Sequence, residues 1–156
     1  MGSAVFTEAI LIVASVIIAA GLAGVVMTKV GTFQSTFTQT TENQKQTILT
    51  NIKILYDVSP DKASIVNAWV KNVGTYSITN TQNVDVYFGQ TGQMQRIPYG
   101  TGIMEWSYNT PVSSWDKGST VQINISNLPQ IACGTIYELQ VTTPNGISDE
   151  YIAPVC

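Results

Sequence analysis

The pattern of apolar and polar positions divides the chain into two parts of different period. Residues 9–27 read Ala-Ile-Leu-Ile-Val-Ala-Ser-Val-Ile-Ile-Ala-Ala-Gly-Leu-Ala-Gly-Val-Val-Met, nineteen positions with no charge and one hydroxyl. As an α-helix rising about 1.5 Å per residue, this run is roughly 28 Å long, close to the hydrocarbon thickness of a bilayer. Apolar side chains cover every face, so it is not an amphipathic helix and must be buried all round. A secretory signal would have a basic start, a shorter apolar run and a small-residue cleavage site, and no Lys or Arg precedes residue 9. Two modes of burial stay open: a single membrane span, or packing among copies of itself in a pilin-like filament.

From residue 28 to 55 the composition changes to Thr, Gln and Ser with scattered apolar side chains. Phe33, Phe37, Thr41, Gln44, Ile48, Ile52 and Leu55 fall at intervals of three or four, which predicts a helix continuing out of the apolar run. Residues 32–41 are rich in Thr, a poor helix former, so a flexible stalk is the competing expectation, with Gly31 as the hinge.

After Leu55 the period changes to two. Residues 56–61 read as a turn, because Pro60 fixes φ and Asp and Ser bond local amides. Strands are expected over 63–73, 84–88, 94–97, 103–108, 121–126, 137–141 and 150–153, with turns at 72–74 and 144–146. Seven short strands punctuated by Gly, Pro and Asn predict an immunoglobulin-like β-sandwich, with a barrel of similar strand count as the alternative. Leu128-Pro129 leading through Cys133-Gly134 to Tyr137 has the spacing of the corner tyrosine of such sandwiches. The expected fold is an N-terminal apolar α-helix followed by an all-β immunoglobulin-like sandwich. Residues 1–30 form a membrane or assembly helix, 31–55 a helical or flexible stalk, and 56–156 an extracytoplasmic domain that folds alone.

Composition sharpens this picture. Charged residues make up 11% of the chain, well under the usual ~25%, so solubility rests on Thr, Ser, Asn and Gln. A neutral polar surface keeps its character across pH and suits an exposed, extracytoplasmic setting. The net charge of −3 argues against a nucleic-acid partner.

The chemistry on offer is sparse. There is no histidine, which removes the commonest general base and metal ligand, and no phosphate-binding loop occurs. Asp57 with Asp61, and Asp149 with Glu150, read as solvated turn charges. No catalytic, cofactor or metal site is expected. Cys133 and Cys156 are a candidate disulfide; a loop of this size is worth about 3 kcal/mol in the chain-entropy picture. Two unrelated thiols are the other reading, since spacing alone does not fix pairing.

Asn124-Ile125-Ser126 is a candidate glycosylation sequon on the outward side of a strand. Trp106, Tyr108 and Trp115 read as core, with partner-anchoring aromatics as the alternative. Within the apolar run, Ala19 with Ala23 and Ala20 with Gly24 stand at small-xxx-small spacing and are candidates for helix self-association. Glu8 is the helix-start carboxylate, placed to meet the helix dipole or a cation of a neighbouring chain.

The stretch Gly2-Ser3-Ala4-Val5-Phe6-Thr7-Glu8, the apolar run after it, and residues 51–57 (Asn-Ile-Lys-Ile-Leu-Tyr-Asp) leading into 68–74 (Ala-Trp-Val-Lys-Asn-Val-Gly) together resemble one family. It is the archaeal flagellum (archaellum) accessory proteins, specifically the G-type stator component. The resemblance covers roughly the N-terminal half; beyond Gly74 only the architecture matches. It implies a membrane anchor and an immunoglobulin-like domain between membrane and surface layer. It further implies a homo-oligomer that joins a sister F-type component and, through it, the surface layer, holding the motor static. Lys29, the cation nearest the span, lies on the exported side and lends that orientation no support. The alternatives are a pilin- or archaellin-like filament subunit and a surface-layer or glycan-binding module.

Overall fold

The computed structural model describes residues 2–58, 64–126, 128–129 and 134–154. The chain divides into two units, Met1–Gln44 and Lys45–Cys156.

The first unit is helix. Helix α1, Gly2–Leu49, is continuous over 48 residues and contributes its last turn to the second unit. Gly31 lies inside the helix and the Thr-rich stretch is helical. The hydroxyls explain how so many poor helix formers are accommodated. Thr28 donates to the Gly24 carbonyl (3.0 Å), Thr32 to Thr28 (3.0 Å), Thr38 to Gln34 (2.9 Å) and Thr40 to Thr36 (2.9 Å). A hydroxyl bonded to the preceding turn no longer competes with the backbone for its own amides. Phe33 and Phe37 stack one turn apart with ring centroids 6.2 Å apart, an i,i+4 contact worth about 0.2–0.5 kcal/mol.

The second unit is a sandwich of two antiparallel four-stranded sheets. The strands are β1 Ile52–Val58, β2 Val66–Asn72, β3 Asp85–Gln90, β4 Gln93–Ile97, β5 Glu105–Tyr108, β6 Thr120–Ser126, β7 Ile136–Thr142 and β8 Ser148–Pro154. One sheet has the order β1-β2-β6-β5 and the other β4-β3-β7-β8. This is the immunoglobulin arrangement, with one extra strand beside the three-stranded sheet of the constant type. The core is made by the inward residues of both sheets, among them Ile54, Val66, Val70, Val86, Ile123, Ile125, Leu139 and Val141. Trp106 and Trp115 are fully buried in it, as the core reading of the aromatics expects.

Three sequence expectations are corrected. Residues 52–55 are strand, not the end of a helical stalk, and 56–58 extend that strand instead of opening a turn. The spacing of Ile48, Ile52 and Leu55 fits a helix stripe, yet Ile52 and Ile54 alternate into the core with Lys53 and Leu55 outside. A register shift between Ile54 and Tyr56 breaks the alternation that would have revealed the strand. The sandwich therefore begins before residue 56 and has eight strands.

Tyr137 does stand at the start of β7, but its ring lies flat on Phe88, with centroids 5.5 Å apart. Its hydroxyl bonds no described residue. The tyrosine that pins a crossover is Tyr108, whose hydroxyl donates to the Thr81 carbonyl (2.8 Å) and so fixes the 3-10 turn Thr81–Asn83 between β2 and β3. Burial raises the Tyr108 pKa, and the nearby Tyr99 adds to the shift.

Candidate functional site: the uncovered helix and the collar of the sandwich

Two features stand out, one left bare by packing within the chain and one made by it. The first is the apolar part of α1. Ile10, Leu11, Val16, Ile17, Leu22 and Val25 are each about 60% exposed or more. No apolar segment of a soluble domain is left bare on this scale. The helix is a candidate membrane anchor by length and composition. Its lone hydroxyl there, Ser15, donates to the Ile12 carbonyl at 2.8 Å, as a hydroxyl in hydrocarbon must find an internal acceptor.

Ala19, Ala20, Ala23 and Gly24 all lie on the exposed surface of α1. A Cβ built on Gly21 or Gly24 would touch nothing, so the notch in the side-chain wall is open. Glu8 is also exposed. Because α1 begins at Gly2, Glu8 stands in its second turn, where the dipole has faded. Cys133 and Cys156 lie outside the described residues. Asn124 is on the outward face of β6, flanked by Asn67 of β2 and Ser107 of β5. Its amide nitrogen reaches Asn109 Oδ1 at 3.4 Å, while its carbonyl oxygen is shielded and unbonded among the described residues.

The second feature is the collar of the sandwich, where the last turn of α1 enters it. The terminal carbonyls of a helix have no intrahelical partner and must find one elsewhere. Here the sandwich supplies them. The Leu49 carbonyl accepts from the amides of Thr75 (2.9 Å) and Tyr76 (3.3 Å). The Gln46 carbonyl accepts from the Thr50 amide (3.0 Å), the Thr50 hydroxyl (2.7 Å) and Asn145 Nδ2 (3.2 Å). Asn145 Nδ2 also lies 2.6 Å from Thr50 Oγ1, and Asn145 is held in turn by the Thr143 hydroxyl on its Oδ1 (2.6 Å).

Beneath these bonds lies the turn after β2. Asn72 is fully buried, donating from Nδ2 to the carbonyls of Tyr76 (2.8 Å) and Trp115 (2.9 Å) and accepting on Oδ1 from the Gly74 amide (3.0 Å). The amides of Val73 and Gly74 both bond the Asn51 carbonyl at 2.9 Å. Gly74 allows the approach: a Cβ there would stand 2.5 Å from the Leu49 oxygen and from the Asn51 nitrogen. The Asn-x-Gly motif reads in the sequence as a strand end; in three dimensions it is the seat of the helix.

A seam closes the same side of the sandwich. Asp149 of β8 accepts from the Ile54 amide of β1 (2.7 Å) and pairs with Lys53 Nζ (2.9 Å), joining the edge strands of the two sheets. Sequence reasoning left Asp149 as a solvated charge. Its position opposite Val141, on the inward side of β8, is a tertiary fact. Among the described residues there is no group of three or more side chains able to hold a metal ion.

With this geometry in view, the comparisons with known proteins decide the family. The model of the archaeal-type flagellin family matches residues 2–152. The chain belongs to the archaeal-type flagellin family. The archaellum periplasmic stator protein FlaG from Sulfolobus acidocaldarius is 33% identical over 67% of this chain and 100% of its own length, with a TM-score of 0.62. A chain of the archaellum periplasmic stator protein complex FlaF and FlaG of the same organism matches at 33% identity over 67% of this chain and 90% of its own, with a TM-score of 0.61. A chain of the archaeal flagellum of Methanospirillum hungatei strain JF1 has the same fold over 95% of this chain and 92% of its own, with a TM-score of 0.71 at 16% identity. No curated protein matches. Within the archaeal-type flagellin family, this chain is an archaellum accessory component of the G type, and its relatives are structural archaellum proteins.

Proposed function

We propose that this protein is a non-catalytic stator component of the archaellum, anchored in the membrane by residues 9–27 with its sandwich on the extracytoplasmic side. The observation that carries this reading is the 33% identity with FlaG over that protein's whole length. The geometry gives it a physical rationale. A part that holds a motor still has to bear load through its anchor, and α1 is one unbroken helix whose last carbonyls are bonded into the domain.

The partners follow from the same reading: copies of this chain, which meet through Ala19, Ala20, Ala23 and Gly24 in the membrane, and an F-type protein, as in the FlaF–FlaG complex. The surface layer is reached through that partner. The G-type match favours this over the filament-subunit alternative.

The test is fractionation of cells carrying an epitope on β8. The protein should stay with membranes until detergent is added, and protease applied from outside should remove the epitope. Recovery as a main subunit of sheared extracellular filaments would sink the stator reading.

A further inference from the structure

The strand register exposes an anomaly that neither the core nor the collar accounts for. Residues paired directly across antiparallel strands share a face. Gln95 pairs with Phe88, Gln90 with Gln93, and Gln90 also with Tyr137. Phe88 is 4% exposed and belongs to the core, so Gln90, Gln93 and Gln95 occupy positions on the inward face of their sheet. Alternation calls for apolar residues there, as at Val86 and Ile97 in the same ladder. All three glutamines are instead exposed.

They line an open cleft of about 290 Å³ with Phe88 and Tyr137 as its aromatic wall and Leu128 and Pro129 on its rim. None of these amides has a partner among the described residues. Polar residues set against the core pattern without internal partners mark sites kept for something other than stability.

We propose that this cleft binds a neutral saccharide. Each lining residue is uncharged, which selects against ionic ligands. The ring of Tyr137 lies flat on Phe88 and lines the cleft, an aromatic surface of the kind that takes the C–H face of a sugar ring. Each glutamine amide offers two donors and an acceptor, matching the donor and acceptor character of adjacent hydroxyls. The volume lies at the small end of the usual ligand range, suited to one or two sugar rings.

The test uses the full chain in a detergent without a sugar headgroup. It is titrated with glucose, galactose, mannose, N-acetylglucosamine and their disaccharides, followed by saturation-transfer NMR and calorimetry. At least one sugar should bind saturably. The Gln93→Ala/Gln95→Ala double variant should weaken that binding roughly tenfold, as expected for losing two neutral hydrogen bonds, at an unchanged melting temperature. Absence of saturable binding across the panel overturns the proposal, and so does binding that survives the double variant. Selective capture of an uncharged glutamine-rich peptide by the same cleft also overturns it. None of these outcomes bears on the stator reading, which rests on other residues.

Discussion

At the scale of single residues, the collar concentrates its consequences in Asn72 and Gly74. Gly74→Ala would place a methyl group against the backbone of Leu49 and Asn51, neither of which can rotate aside. The sandwich should lose about 1–3 kcal/mol, the usual cost of overpacking, read as a lower melting temperature. Asn72→Leu keeps the volume but leaves the carbonyls of Tyr76 and Trp115 and the Gly74 amide without Asn72 as partner, for a loss of about 2–3 kcal/mol in denaturant unfolding. Both residues were visible in the sequence as an Asn-x-Gly turn. Their importance was not, because a turn motif says nothing about which distant backbone it meets.

Glu138 on β7 gives a pH dependence of definite sign. Its carboxyl is held above the ordinary range by partial loss of water, by the negative charge of Glu150 and by a hydrogen bond to it. Because the folded value is raised, this group's contribution to stability is fully present below the unfolded value of about 4.3 and is lost as pH rises through the folded value. Melting temperature compared between Glu138→Gln and the natural chain across pH 4 to 7, about the carboxylate range, should show the pH-linked change reduced in the variant.

At the scale of elements, the seam between β1 and β8 is a junction of two sheet edges made by one carboxylate. Asp149→Ala frees the Ile54 amide and unpairs Lys53, whose side chain is 59% exposed and so adds little by its charge. A loss of about 1–2 kcal/mol is expected, together with faster hydrogen exchange at the Ile54 amide. If that amide stays as protected as in the natural chain, the carboxylate is not what closes the seam. Helix α1 teaches the complementary lesson. Its apolar part was legible because a charge-free run longer than a helical turn has few structural options. The Thr-rich part was ambiguous because propensity opposed periodicity; it is helical, with its hydroxyls bonded to carbonyls of the preceding turn.

At the scale of the whole molecule, the boundary of the sandwich changes how it should be isolated. The unit begins at Lys45, and Ile52 and Ile54 are core residues. A chain starting at Lys45 should be soluble without detergent and unfold in one cooperative transition. A chain starting at residue 56 loses those two isoleucines and the pairing of β1 with Val70, Lys71 and Asn72, and should fail to give such a transition. Equal cooperativity of the two would mean that the collar and the start of β1 are dispensable.

Residue order alone determined the bare apolar helix, the all-β character of the remainder and the absence of histidine chemistry. These follow from composition and from periods of 3.6 and 2, which are local properties of a chain. Tertiary structure decided where α1 stops, which tyrosine pins a crossover, why Gly74 is glycine, and that Gln93 and Gln95 look inward over an open cleft. Each of these depends on what stands opposite a residue across a sheet, a turn or a seam. A pairing between residues far apart in the chain leaves no period for the sequence to display.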